Sequence, residues 1–131
     1  MADTRNARRP LSPHLQIYRG GLTMLMSIAH RITGVALYAG TLLLVWWLTA
    51  AATSDPYFDM VQAVFASVPG RLVLFGFTWA LIHHTLGGIR HLIWDMGRGF
   101  GLRHVEMGAR LSLAGSIILT LAVWAIGLGV S

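Results

Sequence analysis

Residues 34–52 read GVALYAGTLLLVWWLTAAA, a stretch without a single charged side chain. A bilayer core about 30 Å thick needs roughly 20 apolar residues in helical form to cross it. Apolar side chains continue upstream to Leu22, so the first spanning helix is expected over residues 22–52. A cleaved secretory signal does not fit, because the run is too long, starts too late and lacks a convincing cleavage site.

Two further apolar runs follow the first. Residues 72–92 form one of them, with three histidines and an arginine near its end, and residues 111–130 form the other, which has no charge. We therefore predict an all-α integral membrane protein with three transmembrane helices in one domain, 1–131. Its segments are an N-terminal cytoplasmic segment (1–21), the first span (22–52), a periplasmic connection holding a short surface helix (53–70), the second span (71–95), a cytoplasmic loop (96–109) and the third span (110–131).

The composition supports a membrane protein and narrows its chemistry. Hydrophobic residues make up 55% of the 131 residues and charged residues 11%, whereas soluble domains carry roughly a quarter charged residues. The absence of cysteine excludes disulfides, thiolate-held iron-sulfur clusters, covalent haem attachment through cysteine and cysteine-based zinc sites. Histidine and arginine are therefore the main candidates for ionisable chemistry.

The arginines predict the orientation of the chain. Nine of the ten lie before or at the mouth of the first span or around the second loop, and Arg71 alone lies on the other side. Positively charged flanks are retained on the cytoplasmic side, so the N-terminus is expected to face the cytoplasm. The same distribution explains the high pI of about 11.1 without a nucleic-acid partner.

The second span carries His84, Gly87, Gly88, His91 and Asp95 on one helical face. A neutral imidazole is a usual axial ligand of haem iron, and the two glycines remove bulk where a flat macrocycle would lie. Asp95 lies roughly 16 Å along the axis from His84, which places His84 near mid-membrane if Asp95 is at the interface. Alternatively, the glycines form a helix-packing surface and His84 bonds to a neighbouring helix.

His30 is the only histidine of the first span. If both helices are straight, it lies about two turns shallower than His84, beside Arg31, and is badly placed as an opposite ligand. A second axial histidine would then come from a different polypeptide. His30 and Arg31 would be well placed for the carboxylate side of the macrocycle.

Ser27, His30, Arg31 and Gly34 share one face at the cytoplasmic end of the first span. A hydroxyl, an imidazole and a guanidinium can hydrogen-bond the carbonyls of a lipid-soluble quinone and stabilise the negative charge that develops there. The alternative is that Arg31 marks the membrane boundary and reaches the headgroups, while Ser27 bonds back to its own helix.

Other polar groups in the spans have structural alternatives. Asp95 either pairs with Arg90 or Arg98 or hands protons inward. His83 points about 100° away from His84 and is expected to meet a neighbouring helix or the lipid interface. A stripe of small residues that allows close helix approach comprises Ser112, Ser116 and Thr120.

Three stretches resemble the cytochrome b membrane-anchor subunit of succinate dehydrogenase. They are residues 9–18 (RPLSPHLQIY), 27–34 (SIAHRITG) and 84–97 (HTLGGIRHLIWDMG). The resemblance covers essentially the whole chain, and the first stretch is similar to the alphaproteobacterial and mitochondrial branch. Because no long transit peptide precedes it, a multi-pass protein of a bacterial inner membrane is expected.

This resemblance implies a four-subunit respiratory complex. A flavoprotein oxidises succinate, an iron-sulfur protein carries electrons to ubiquinone, and this chain forms a helical bundle with a second small membrane-anchor subunit. The chain would be part of a succinate:quinone oxidoreductase and would not catalyse anything alone. The alternatives are a haem-free structural anchor that packs and holds phospholipid, or the same role in a quinol:fumarate reductase.

The resemblance also implies roles for individual residues. His84 is one axial ligand of the iron of haem b, and the second membrane-anchor subunit gives the other. The remaining assignments are His30, Arg31 and His91 at the haem, Ser27 and Arg31 at the ubiquinone site, and Asp95 near the proton supply of the quinone.

Overall fold

The computed structural model describes residues 20–130, and every regular element in that range is a helix. The three longest are long and apolar enough to cross a membrane, which confirms the predicted all-α fold with three spans. The resembling stretch at residues 9–18 lies outside the described residues. The helices are α1 (Leu22–Thr53), α2 (Asp55–Ala66), α3 (Val68–Asp95) and α4 (Leu102–Val130).

Large apolar side chains cover the outside of the bundle, and small residues lie inside. Leu42, Leu111 and Ile126 are each about two-thirds exposed, whereas Ala50 and Ala109 are fully buried. Small residues let helix backbones approach closely, and lipid tails accept the apolar side chains that water would reject. The bundle is therefore built for a hydrocarbon solvent.

The short helix expected in the first connection is α2, which begins after Ser54 and has a proline in its first turn. Two hydrogen bonds attach it to the end of α1. The indole N–H of Trp46 donates to the Tyr57 hydroxyl at 2.9 Å, and that of Trp47 donates to the Gln62 side-chain oxygen at 3.0 Å. Val61 of α2 is fully buried, so one face of this helix packs against the bundle.

The connection between α3 and α4 is shorter than predicted, because α4 begins at Leu102. The loop expected over residues 96–109 is therefore helical in its second half. Gly97 and Gly99 adopt φ angles of +75° and +78°, a conformation that costs glycine little and other residues more. These two glycines reverse the chain within residues 96–101.

The predicted stripe of small residues faces inward on α4. Ser112, Ser116 and Thr120 are all buried, and each hydroxyl donates to a carbonyl of its own helix at 2.7–2.8 Å. Satisfied hydroxyls allow polar residues at an interface that has no water. Helix α3 packs against both α1 and α4, so its histidines face two different neighbours.

Candidate functional site

Three histidines meet where α1 crosses α3. The rings of His30 and His84 stack with centroids 3.9 Å apart and planes 8° from parallel. The His91 ring lies 5.2 Å from that of His30. We call His30, His84 and His91 the histidine cluster; the structure brings together residues that the sequence placed on two separate helices.

Reciprocal glycines make the stack possible. A Cβ atom at Gly87 would lie 2.5 Å from Nδ1 of His30, and one at Gly34 would lie 3.2 Å from Cε1 of His84. Each helix thus omits a side chain where the other places an imidazole. Of the two glycines expected to leave room for a macrocycle, Gly87 instead accommodates His30, while Gly88 has nothing within 4 Å of its Cβ position.

The expectation that His30 lies about two turns shallower than His84 is wrong. His30 lies eight residues from the first residue of α1, and His84 lies eleven residues from the last residue of α3. The two positions differ by three residues, or about 4.5 Å along a helix. This difference is small enough for the two rings to stack where the helices cross. Two imidazoles that bind one iron from opposite sides point their nitrogen lone pairs at each other, whereas stacked rings do not. The ring orientation therefore still favours a second axial ligand from another polypeptide.

The ring of His84 is held through Nδ1. This atom lies 3.1 Å from the carbonyl oxygen of His30 and 3.3 Å from the hydroxyl oxygen of Thr33. The Thr33 hydroxyl donates its proton to the carbonyls of Ala29 and His30, both at 2.9 Å, so it presents a lone pair to His84. Two acceptors at Nδ1 favour the tautomer with the proton there, which leaves the Nε2 lone pair for a metal.

This arrangement fits an axial ligand of haem iron. A metal-bound histidine usually donates its other ring N–H to a backbone carbonyl, a carboxylate or water, and His84 donates to a carbonyl. Gly88, one turn along α3, adds an open surface beside the ring. Sequence reasoning missed the part played by Thr33, since the contact joins two helices.

Two groups near the cluster have buried donors without acceptors. Nδ1 of His30 and the Nε and Nη1 atoms of Arg90 find no hydrogen-bond partner. The Arg90 guanidinium lies 5.1 Å from the Trp94 ring centroid, and its stem lies beside Gly108. Buried polar atoms usually have a hydrogen-bond partner, and these three have none within residues 20–130.

Arg90 was considered from the sequence only as a partner for Asp95, although an arginine within a span is a candidate in its own right. Asp95 is the last residue of α3 and is exposed. Within the described range it forms no ion pair with Arg90 or Arg98; the ion pair found there joins Glu106 to Arg110 at 3.8 Å. The pairing alternative for Asp95 therefore has no support.

Ser27 and Arg31 lie one turn apart on α1, and both are exposed. Between residues 20 and 130, neither side chain has a hydrogen bond or ion pair. The Thr33 and Thr41 hydroxyls on the same helix bond back to backbone carbonyls, whereas that of Ser27 does not. The described residues therefore give no support to the alternative that Ser27 bonds back to its own helix.

His83 faces the opposite side of α3 and is 1% exposed. Its Nδ1 lies 3.2 Å from the Ser116 hydroxyl on α4, and its ring stacks on Trp79 with centroids 5.0 Å apart. The expectation that His83 meets a neighbouring helix is confirmed.

The sequence pattern of a family described as "Succinate dehydrogenase/Fumarate reductase transmembrane subunit" matches residues 5–123. The chain belongs to this transmembrane subunit family. Its three long apolar helices and this membership make it a multi-pass membrane protein, as predicted.

Individual relatives of the transmembrane subunit family agree with the predicted branch. The chain is 45% identical over 119 residues to the succinate dehydrogenase cytochrome b556 subunit of Paracoccus denitrificans, covering 91% of this chain and 92% of the relative. It is 38% identical over 117 residues to the cytochrome b556 subunit of Rickettsia typhi, covering 89% and 91%. The mitochondrial cytochrome b560 subunit of Sus scrofa is 39% identical over 121 residues, covering 89% and 67%.

Proposed function

We propose that this chain is the haem b-binding membrane-anchor subunit of a succinate dehydrogenase in a bacterial inner membrane. The observation that carries the proposal is the imidazole of His84, whose Nδ1 meets the His30 carbonyl at 3.1 Å inside a membrane helix pair. Relatives that are named succinate dehydrogenase cytochrome b subunits support the same assignment.

Nε2 of His84 would hold the haem iron, and a histidine of a second small membrane-anchor subunit would give the other ligand. When bound, haem b supplies an iron that accepts and releases one electron. His30 and His91 extend the cluster toward the cytoplasmic end of α3, and with Arg31 they contact the haem carboxylates. The position of both rings in the histidine cluster beside His84 supports this role.

Ser27 and Arg31 form this chain's part of a ubiquinone-reduction site. The Ser27 hydroxyl donates to a quinone carbonyl, and the Arg31 guanidinium stabilises the negative charge that develops as electrons arrive. Asp95, exposed at the end of α3, stands where protons from the cytoplasm reach the quinone. The exposure of Ser27 and Arg31, and the absence of any hydrogen bond or ion pair from their side chains to residues 20–130, support this assignment.

The remaining reaction steps belong to other subunits. A flavoprotein oxidises succinate and an iron-sulfur subunit delivers the electrons, so this chain anchors them and is not catalytic alone. The arginine distribution supports a cytoplasmic N-terminus, which places the quinone site on the same side as those subunits. The second anchor subunit and membrane lipid cover the exposed apolar faces.

An absorption spectrum of the purified complex tests the haem assignment. In His84→Ala we expect the reducible b-type haem to be lost or strongly weakened, since the iron loses an axial ligand. His104→Ala is the matched control, because His104 is exposed in the first turns of α4, and it should keep the wild-type spectrum. An unchanged spectrum in His84→Ala would contradict the ligand assignment, whereas a wild-type complex without a b-type haem spectrum would favour the haem-free structural anchor.

A further inference from the structure

We propose that Thr33 is a positioning residue for the iron ligand: its hydroxyl fixes the ring of His84 and tunes how strongly that ring donates electrons to the metal. The inference rests on the proposed ligation of haem iron by His84. It goes beyond that proposal because it assigns a role to a side chain that does not touch the cofactor.

The hydrogen bonds of the Thr33 hydroxyl orient a lone pair of its oxygen toward His84. Its proton is shared between the carbonyls of Ala29 and His30, both at 2.9 Å. Its oxygen then lies 3.3 Å from Nδ1 of His84, with the His30 carbonyl at 3.1 Å on the same atom. A single turn of α1 therefore supplies both acceptors for the imidazole N–H.

Burial makes the contact effective. Thr33 is 1% exposed, so water does not compete for Nδ1, and a hydrogen bond is electrostatically stronger at low dielectric. The absent side chain at Gly34 lets the His84 ring approach this turn, since a Cβ there would lie 3.2 Å from Cε1. Atoms of α1 therefore hold the ring at Nδ1 and Cε1.

A second threonine on α1 separates this role from ordinary back-bonding. The Thr41 hydroxyl also donates to two carbonyls of its own helix, those of Leu37 and Tyr38, at 2.9 and 2.7 Å. Thr41 is exposed and no ring nitrogen contacts it. Both threonines satisfy their hydroxyls locally, so the contact with His84 is what distinguishes Thr33.

The expected effect has a defined sign. Acceptors at the N–H of a ligating imidazole raise the basicity of the ligand, which favours the oxidised iron. Removal of the Thr33 hydroxyl weakens this donation and frees the ring to rotate. The midpoint potential of the haem should therefore become more positive, while the haem stays bound through Nε2.

The test compares Thr33→Val, Thr33→Ala, Thr33→Ser and Thr41→Val in the purified complex, by optical redox titration and by electron paramagnetic resonance of the oxidised haem. We expect wild-type haem content in all four. The valine and alanine variants should shift the potential in the positive direction and change the resonance spectrum. Thr33→Ser should restore both properties, and Thr41→Val should leave them unchanged.

Wild-type potential and resonance in Thr33→Val and Thr33→Ala would overturn the inference, as would equal shifts in Thr33→Ser and Thr33→Val. His84→Ala, measured beside them, separates this failure from failure of the proposed function. Loss of haem in His84→Ala with unmoved Thr33 variants removes only the role of Thr33. Retention of haem in His84→Ala removes the ligand assignment itself.

Discussion

Two histidines adjacent in sequence, His83 and His84, face different neighbours of α3. His83 is buried against α4, where the Ser116 hydroxyl and the Trp79 ring contact it. His84 is half-buried against α1, where its Nδ1 meets the His30 carbonyl and its ring stacks on that of His30. Polar groups inside a membrane are costly unless satisfied, and both rings use Nδ1 to contact a neighbouring helix; they differ in that His83 is fully buried whereas His84 keeps part of its surface exposed.

The largest effect on haem binding should come from filling the space between α1 and α3 at Gly87. In Gly87→Val the new side chain would overlap the His30 ring, since even a Cβ would lie 2.5 Å from its Nδ1. We expect haem content to fall below half of the wild-type value, because the His30–His84 stack cannot form. Haem is quantified in the purified complex by its absorption after extraction into pyridine.

Gly76→Ala is the matched control for this change, since it lies on α3 and has nothing within 4 Å of its Cβ position. It should keep full haem content. Equal loss in both variants would mean that α3 tolerates no added side chain anywhere and that the crossing has no special role.

The next largest effect should come from Ser27 and Arg31, which are exposed on α1. Ser27→Ala and Arg31→Ala should each lower succinate:ubiquinone turnover by on the order of 10- to 100-fold, because each removes a donor to developing charge. Succinate oxidation with a soluble artificial acceptor should stay at the wild-type rate. Both rates are measured on the same purified complex.

Arg110→Ala provides the comparison for lost charge, because Arg110 is exposed and pairs with Glu106 on α4. It should leave both activities intact. A parallel fall of both activities in Ser27→Ala and Arg31→Ala would point to failed assembly of the complex and not to a quinone site.

The smallest effect should come from the contact between His83 on α3 and Ser116 on α4. Ser116→Ala removes the partner of the buried His83, and hydrogen bonds between membrane helices contribute about 0.6 kcal/mol on average. We expect a slightly lower thermal transition of the complex with an unchanged haem spectrum. Differential scanning calorimetry and absorption of the same sample provide the two readouts.

Ser112→Ala controls for the loss of a buried hydroxyl, since Ser112 donates to the carbonyl of Gly108 on its own helix and contacts no histidine nitrogen. It should lower the transition less than Ser116→Ala. A haem spectrum that changes in Ser116→Ala would show that the two sides of α3 are not independent.

Hydropathy and helical spacing predicted much of this structure. The three apolar runs became α1, α3 and α4, and the 100° step between His83 and His84 correctly sent them to different neighbours. The small-residue stripe on α4 also lies where its spacing indicated, facing inward. Each of these features depends on a single helix, and the helical period can be recognised in the sequence of that helix.

Most of the features that sequence reasoning missed depend on two elements at once. The relative depth of His30 and His84 follows from how α1 and α3 cross, and the Thr33 contact exists only because of that crossing. Gly87 and Gly88 look equivalent in the sequence, yet one faces His30 and the other faces open space. The early start of α4 follows from the conformations of Gly97 and Gly99.

The paired glycines of the crossing also fix its register. A slide of one helix along the other would move each glycine away from the ring that it accommodates, since a Cβ at Gly87 would lie 2.5 Å from Nδ1 of His30 and one at Gly34 would lie 3.2 Å from Cε1 of His84. These two close approaches favour the observed alignment of α1 and α3, and that alignment sets the position of His84 along α1.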